Sequence, residues 1–204
     1  NSEYLICDVA CGSGTLTYHL LNKFPKAKFS LSDISDSALE LAKENLKESD
    51  RVNFSRSSIF SLDYKSETFD RVFCWQTLLS LDKPDEALYE LIRVCKSGGK
   101  IYLSSLFNIH FDVDIYTNFI DHTLESSKEG IYMQYNTISA FTLKEWIAKK
   151  VKEFKLHEFI PQKDFKNTAT DPRGTGTYTV NADGKRFQLT GGILMNWAIL
   201  EITK

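Results

Sequence analysis

A turn of small residues followed by an acidic strand end is the part of this sequence best suited to bind a ligand. Residues 6–14 read ICDVACGSG, an apolar strand that leads directly into the turn. Glycine in such a turn lets a ligand approach the backbone, because it has no side chain to collide with the ligand. Asp33 closes the next apolar segment, where a carboxylate can accept both hydroxyl groups of a ribose. Together these features predict a nucleoside-binding crevice.

Two known phosphate-binding turns can be compared with this one. A P-loop places a lysine directly after its last glycine, whereas no lysine follows Gly14. A dinucleotide-binding turn of the GxGxxG type has a third glycine, where this sequence has Thr17. A tight strand-to-helix turn that binds nothing remains the alternative to a ligand site.

The whole pattern around the turn is more specific. The run Asp8-x-Ala10-x-Gly12-x-Gly14 resembles motif I of the class I S-adenosylmethionine-dependent methyltransferases, of the small-molecule type. The acidic end of the second strand, the fourth-strand motif and the turn before strand five also match, at residues 31–35, 68–73 and 91–99. The resemblance covers residues 1–105, about half of the chain.

The resemblance implies roles for the matched residues in the first turn. Gly12 and Gly14 would let the methionine part of S-adenosylmethionine lie against the backbone, in a cofactor-binding turn that includes Cys11. Ala10 replaces the first glycine of the motif, a change expected to need only a small residue. Asp8 would help to organise the turn and the amino group of the cofactor.

The nucleoside half of the cofactor is expected to lie beyond the second and third strands. Asp33 is the expected ribose ligand, with a solvated strand-end carboxylate as the alternative, and Ile34 would pack on the adenine face. Many members of the family have a Gly-Asp pair after strand three, and its aspartate accepts the adenine amino group. This chain has Ser57-Ser58 there. The hydroxyl of Ser58, or the backbone around Ile59 and Phe60, would have to make that contact.

The acceptor side of the site is less well defined by the sequence. Trp75 follows strand four, where the family borders the cofactor, although core packing explains this residue equally well. The candidates for contacts with the acceptor are Gln76, Tyr135, Arg173 and Asn196. Tyr135 could instead belong to a hydrophobic core, and Arg173 could be a solvated loop residue.

Methyl transfer from a sulfonium is an in-line displacement, in which proximity and alignment supply most of the rate. A neutral hydroxyl acceptor would also need a base, typically histidine or a carboxylate. His110 is the preferred candidate because it lies closest to the end of strand five. Asp112, Asp114 and His122 are further candidates, and all four could be ordinary polar residues of a surface segment.

The elements that position these residues follow from the hydrophobic periodicity. Over the first hundred residues, short apolar strands alternate with helical spacing, which predicts a parallel sheet covered by helices on both faces. The resemblance implies a doubly wound, mostly parallel α/β sheet of seven strands in the order 3-2-1-4-5-7-6, with strand seven antiparallel. Ser35 should cap the second helix, Pro84 should open the third, and Ser97-Gly98-Gly99 should end it.

The second half of the chain has weaker signals. Residues 106–137 show no clean periodicity, and Thr142 is expected to cap a helix that runs to Lys150. A hairpin is expected around the turn at residues 181–184, followed by a final strand at residues 192–202. We expect one methyltransferase domain over residues 1–204, in which insertions at 106–140 and 161–190 form a cap over the substrate.

Composition excludes several functional classes. The formal net charge is −2 and no run of four basic residues occurs, which argues against a nucleic-acid partner. No apolar stretch is long enough to span a bilayer. The four cysteines form no CxxC pair, so we expect free thiols, no metal site and a cytoplasmic protein.

These observations predict S-adenosylmethionine-dependent methyl transfer to a small acceptor, such as a hydroxyl or amine of a sugar or nucleotide-linked metabolite. An NAD(P)-dependent oxidoreductase and a cofactor-binding protein without catalysis are the alternatives. The acceptor and the oligomeric state stay open. The family usually has helical sequence ahead of motif I that closes over the cofactor, and we expect that segment to be absent, trimmed or outside this sequence.

Overall fold

The computed structural model describes residues 3–47, 49–120, 132–160, 162, 164, 177–190, 193–195 and 197–204. The central sheet is built from the seven strands β1 (Leu5–Val9), β2 (Lys28–Asp33), β3 (Val52–Arg56), β4 (Phe69–Trp75), β5 (Cys95–Asn108), β8 (Glu153–Glu158) and β12 (Trp197–Thr203). Their order across the sheet is β3-β2-β1-β4-β5-β12-β8.

The topology of this sheet confirms the predicted one. Strands β1 to β5 pair in parallel, while β12 is antiparallel to both of its neighbours, β5 and β8. Strand β12 therefore takes the place of the expected strand seven, and β8 that of strand six. The carboxyl ends of β1, β2 and β4 meet at one edge of the sheet, which is where open α/β sheets bind ligands.

Helices cover both faces of the sheet. They are α1 (Thr15–Lys23), α2 (Asp36–Leu46), a 3₁₀ turn (Leu78–Ser80), α3 (Pro84–Val94) and α4 (Ala140–Ile147). One apolar core lies between the sheet and α3 and α4, and a second lies on the opposite face, under α1 and α2. No helix in the described part of the chain is long and apolar enough to span a membrane.

The ends of the helices agree with the prediction only in part. The Ser35 hydroxyl accepts a hydrogen bond from the Ala38 N–H at 3.3 Å and caps α2, and Pro84 opens α3, as expected. The prediction for the end of α3 is wrong, because the helix ends at Val94 and the glycine pair lies inside β5.

The two glycines shape an irregularity in β5. Gly98 has φ of +74°, and a Cβ on Gly99 would lie 2.7 Å from the Cys95 sulfur. The register between β4 and β5 shifts at the same place. The glycines therefore allow a bulge within β5 and do not end the helix.

The second half of the chain holds more regular structure than predicted. Strands β6 (Ile115–Ile120) and β7 (Tyr132–Ser139) pair antiparallel within a segment expected to be irregular, and β7 also pairs with the end of β5. The cap of α4 is Ser139, not Thr142, because the Ser139 hydroxyl accepts the Thr142 N–H at 3.2 Å. The helix ends at Ile147, three residues before the predicted Lys150.

A separate three-stranded sheet follows. It contains β9 (Thr177–Ala182), β10 (Lys185–Thr190) and β11 (Ile193–Met195). The hairpin prediction is confirmed, with positive φ at both Asp183 and Gly184, as a type I′ turn requires. The prediction of one final strand at residues 192–202 is wrong, because β11 pairs with β10 whereas β12 joins the central sheet. That the insertions form a cap over the substrate stays a prediction.

Candidate functional site

The turn after β1 is held by backbone hydrogen bonds to its own residues and to β2. The Cys11 N–H donates to the Ser32 carbonyl at 3.0 Å, and the Gly14 N–H donates to the Cys11 carbonyl at 2.9 Å. Gly14 is also the N-cap residue of α1, directly before Thr15. The first helix thus starts at a fixed position beside the end of the second strand.

Three residues of this turn adopt the left-handed backbone region. Gly12 has φ of +53° and Gly14 has φ of +74°. A Cβ on Gly12 would meet no atom of the described residues within 4 Å, so they leave the space in front of it open. A Cβ on Gly14 would lie 2.9 Å from Leu46 Cδ1, so this glycine also permits the close contact between α1 and α2.

Ala10 is the third left-handed residue, with φ of +54°. The expectation that this position needs only a small residue is therefore incomplete, because the position also needs a left-handed backbone conformation. An L-amino acid in this region costs roughly 1–2 kcal/mol, because Cβ approaches the next carbonyl oxygen. The turn stores strain at the position where the family motif has glycine.

Asp33 joins the turn to the start of α2. Its Oδ2 accepts the Gly12 N–H at 2.9 Å, and its Oδ1 accepts the Ser35 N–H at 3.0 Å. The carboxylate is partly exposed. Each carboxylate oxygen has two lone pairs, so both can accept a further hydrogen bond from a ligand.

Asp8 lies under the turn and is almost fully buried, with 1 % of its surface exposed. Its Oδ2 accepts the hydroxyl of Thr17 at 2.6 Å. Burial raises the pKa of Asp8 to about 6, although the hydrogen bonds from Thr17 lower it. Thr17 is thus the hydrogen-bond partner of the buried carboxylate. In the sequence it stands out only as the residue in place of the third glycine of a GxGxxG turn.

The expected adenine side combines an apolar surface with two serines. Ile34 is 64 % exposed at the end of β2, whereas Ile59 is buried in the core. The Ser58 hydroxyl accepts the Phe60 N–H at 3.3 Å, which leaves its own hydrogen available as a donor. The Ser57 hydroxyl is buried and has no partner among the described residues. The sequence pointed to Ser58 for the adenine contact and gave no sign that the Ser57 hydroxyl is the buried one.

The edge beyond β4 holds two of the acceptor candidates. Gln76 is exposed, has φ of +54°, and its N–H donates to the Ser104 carbonyl at 2.9 Å. Trp75 directly precedes it and is half-buried. Tyr135 packs with Trp197 against a small apolar cluster formed by Leu79 and Leu106.

The structure places His110 away from the glycine turn. His110 is exposed, and its Nε2 lies 3.5 Å from Oε1 of Glu158 at the end of β8. Strands β5 and β12 separate β8 from β4. Lys185 of β10 approaches the other oxygen of Glu158, also at 3.5 Å.

Asp114 is held at the start of α4 rather than at the turn. Asp114 accepts the Ser139 N–H and the Thr142 hydroxyl, both at 2.6 Å. Burial opposes ionisation of Asp114, but these hydrogen bonds hold its pKa below the usual value. Asp112 is exposed. Arg173, Asn196 and His122 lie outside the described residues.

Comparisons with known protein families, sequences and structures all find methyltransferases. A family described as "Methyltransferase domain" matches residues 1–159. Malonyl-[acyl-carrier protein] O-methyltransferase 1 of Ilyobacter polytropus is 28% identical over 136 residues, which cover 66% of this chain and 50% of that protein. The ubiquinone biosynthesis O-methyltransferase of Nitrosomonas europaea is 31% identical over 107 residues, or 52% and 45% of the two chains.

The chain therefore spans about half the length of the curated relatives it matches. A solved structure of a methyltransferase from Methanosarcina mazei is similar over all of this chain and 93% of its own. The TM-score is 0.62 at 14% identity, which supports a common fold.

Proposed function

Because this chain belongs to the class I S-adenosylmethionine-dependent methyltransferase family, we propose that it transfers a methyl group from S-adenosylmethionine to a small-molecule acceptor. The observation that supports this most strongly is the open space in front of Gly12, beside the oriented carboxylate of Asp33. A backbone without Cβ and an adjacent carboxylate suit a nucleoside ligand.

Two further observations at the carboxyl edge of the sheet support this cofactor. Ile34 exposes an apolar surface at the end of β2, where an adenine ring can pack. The buried hydroxyl of Ser57 has no partner among the described residues, and the Ser57 N–H donates to the Asp33 carbonyl at 3.1 Å. Asp33 would hold the ribose, the turn would hold the methionine part, and Ser57 or Ser58 would contact the adenine.

The cofactor, when bound, supplies a methyl group that is activated by a positively charged sulfur. The protein's part is to hold that group in line with the acceptor atom and to exclude water, which can supply most of the rate. Gln76 and Tyr135 are our proposed acceptor contacts beyond β4 and β7, and Trp75 would separate them from the cofactor. Arg173 and Asn196 stay proposed contacts from the sequence.

The segments that surround this edge limit the chemistry of the acceptor. Residues 75–81, 104–109 and 132–139 contain no carboxylate, histidine, lysine or arginine. Such surroundings suit an acceptor that is already nucleophilic and needs little acid–base help. A neutral hydroxyl would require a base from outside these segments, and His110 directly follows one of them.

For the acceptor we propose a hydroxyl or amine of a metabolite, with sugars and nucleotide-linked compounds as first candidates. The names of the relatives add a malonyl thioester on a carrier protein and precursors of ubiquinone. The four cysteines are free, which supports the proposed cytoplasmic location.

A methyl-transfer assay with isotopically labelled S-adenosylmethionine tests this proposal. The acceptor panel contains sugars, nucleotide sugars, malonyl-carrier protein and demethylated quinone precursors. Label in one acceptor, lost in Gly12→Ala and kept in Asp183→Asn, would support it. Cofactor binding without label transfer to any acceptor would favour a protein that has lost catalysis. Binding of NAD in place of S-adenosylmethionine would favour an oxidoreductase.

A further inference from the structure

Asp8 is a buried carboxyl group, and no positively charged side chain of the described residues acts on it. Strand β1 places it opposite Leu31 of β2 and Phe73 of β4, both of which are buried. Its side-chain hydrogen-bond donor is the hydroxyl of Thr17 of α1, which carries no charge. A buried carboxylate without a cation is costly to ionise, so a ligand that brings a positive charge close to Asp8 would stabilise its ionised form.

Titratable groups lie around Asp8 on the turn and on strands β1, β2 and β4. The turn contributes Cys11, β1 contributes Cys7 and β4 contributes Cys74. Burial raises the pKa values of Cys11 and Cys74 to about 12 and that of Cys7 well above its ordinary value, so these thiols stay neutral. From β2, Asp33 opposes ionisation of Asp8 with its own negative charge.

We propose that Asp8 is the residue by which the site distinguishes the sulfonium donor from the thioether product, and that its ionisation is coupled to the bound form of the cofactor. This inference rests on the proposed function. S-adenosylmethionine carries two positive groups, the ammonium and the sulfonium, whereas S-adenosylhomocysteine carries only the ammonium. The donor therefore stabilises the ionised form of Asp8 more strongly than the product does.

Two consequences follow from this coupling. Binding of the donor releases a proton from Asp8 in the pH range where the ligand-free protein still holds it. Methyl transfer removes the sulfonium charge, so the Asp8 carboxyl regains affinity for a proton and holds the product less tightly than the donor. The affinity for the donor falls as the pH is lowered through this range, and the affinity for the product falls less.

Isothermal titration calorimetry measures the released protons directly. Each ligand is titrated into the whole chain in two buffers of different ionisation enthalpy, between about pH 5 and 7, where the ligand's amino group, with a pKa of about 8, stays protonated. Because the Asp8 pKa is about 6, we expect the donor to release about half a proton near that pH. The product should release clearly less.

Three variants test whether the released proton comes from Asp8. Asp8→Asn should abolish the proton release, and Asp183→Asn, a change in the exposed β9–β10 turn, should leave it intact. Thr17→Val removes the hydrogen bond that lowers the Asp8 pKa, so the release should move to higher pH. This variant decides the question if Asp8→Asn binds too weakly to be titrated.

The results discriminate between the inference and the function on which it rests. Proton release that is equal for donor and product, that persists in Asp8→Asn, or that keeps its pH range in Thr17→Val would overturn the role of Asp8. Failure of the native chain to bind either ligand would instead overturn the proposed function, and the inference with it.

Discussion

The Gly12 N–H donates to Oδ2 of Asp33 at 2.9 Å and so joins the turn after β1 to the end of β2. The second oxygen of the same carboxylate accepts the Ser35 N–H at the start of α2. These two bonds fix the orientation of Asp33 before a ligand arrives. A preoriented acceptor loses less entropy on binding, which favours affinity.

Replacing Asp33 tests its proposed contact with the ribose. Asp33→Ala should weaken binding of S-adenosylhomocysteine by about 1.5–3 kcal/mol for each lost charge-assisted hydrogen bond. One such bond corresponds to roughly a 10- to 100-fold higher Kd in calorimetry. The exposed Asp183→Asn variant is the control and should bind normally. An unchanged Kd in Asp33→Ala would contradict the ribose assignment.

The two glycines of the turn should respond differently to alanine. Both substitutions cost roughly 1–2 kcal/mol of unfolding free energy, because both residues have positive φ. Gly14→Ala should cost about 1–3 kcal/mol more, since its Cβ would press on Leu46. Gly12→Ala should instead lose cofactor affinity, because its Cβ enters the open space. Urea denaturation and calorimetry measure the two effects, and equal losses of stability would contradict the assigned packing.

Relief of backbone strain should make Ala10→Gly more stable than the native chain. The substitution removes roughly 1–2 kcal/mol of left-handed strain and costs about 0.4–1 kcal/mol through the greater freedom of the unfolded chain. We expect a net gain of up to about 1.5 kcal/mol in urea denaturation. Ala87→Gly inside α3 is the control and should be destabilised by about 1 kcal/mol or more. A loss of stability in Ala10→Gly would show that Ala10 is not strained.

The buried Asp8 predicts a stability that depends on pH in the ligand-free protein. The native state raises the Asp8 pKa from 3.8 to about 6, so it binds the proton more tightly than the unfolded state does. This contribution is fully present below the unfolded pKa and is lost as the pH rises toward 6. Its size is about 3 kcal/mol at most, from the shift and about 1.4 kcal/mol per unit.

Asp8→Asn should remove this term. From about pH 4 to pH 7 the native chain loses this contribution and the variant does not. The unfolding free energy of the variant should therefore rise relative to that of the native chain, as measured by urea denaturation at both pH values. Asp183→Asn should follow the native chain at both. A native chain that keeps the same margin over Asp8→Asn at both pH values would contradict the buried, uncompensated carboxyl.

The proposed base can be tested against a second histidine in a similar pair. If His110 takes the acceptor's proton, His110→Ala should lower turnover by roughly 10²- to 10⁴-fold with little change in cofactor affinity. His157 of β8 has its Nε2 3.1 Å from Oε2 of Glu201 on β12, and His157→Ala should keep normal turnover. Equal rates in His110→Ala and the native chain would remove His110 from the mechanism. The neutral segments at the acceptor edge would then leave positioning as the source of the rate.

The parts of the fold that the sequence predicted depend on short local patterns. The cap at Ser35 and the turn at Asp183-Gly184 are each set by a few neighbouring residues. The sheet order came from the family resemblance, because parallel pairing is not visible in local periodicity. The β6–β7 hairpin was missed because its strands pair across a long connection and lack regular alternation of polar and apolar residues.

The site shows the same division. The glycine turn and Asp33 could be predicted because both stand at the ends of adjacent parallel strands. The bond from Thr17 to Asp8 could not, because it depends on how α1 packs over β1. The burial of the Ser57 hydroxyl and the pairing of His110 with Glu158 likewise depend on contacts between residues distant in the sequence.

Calorimetric titration of the native chain with S-adenosylmethionine, S-adenosylhomocysteine and NAD tests the cofactor site most directly. We expect both adenosyl ligands to bind with one site per chain, to bind more weakly to Asp33→Ala, and NAD to give no binding heat. Binding of NAD without binding of either adenosyl ligand, or no binding of any of the three, would contradict a sulfonium-cofactor site at Gly12 and Asp33.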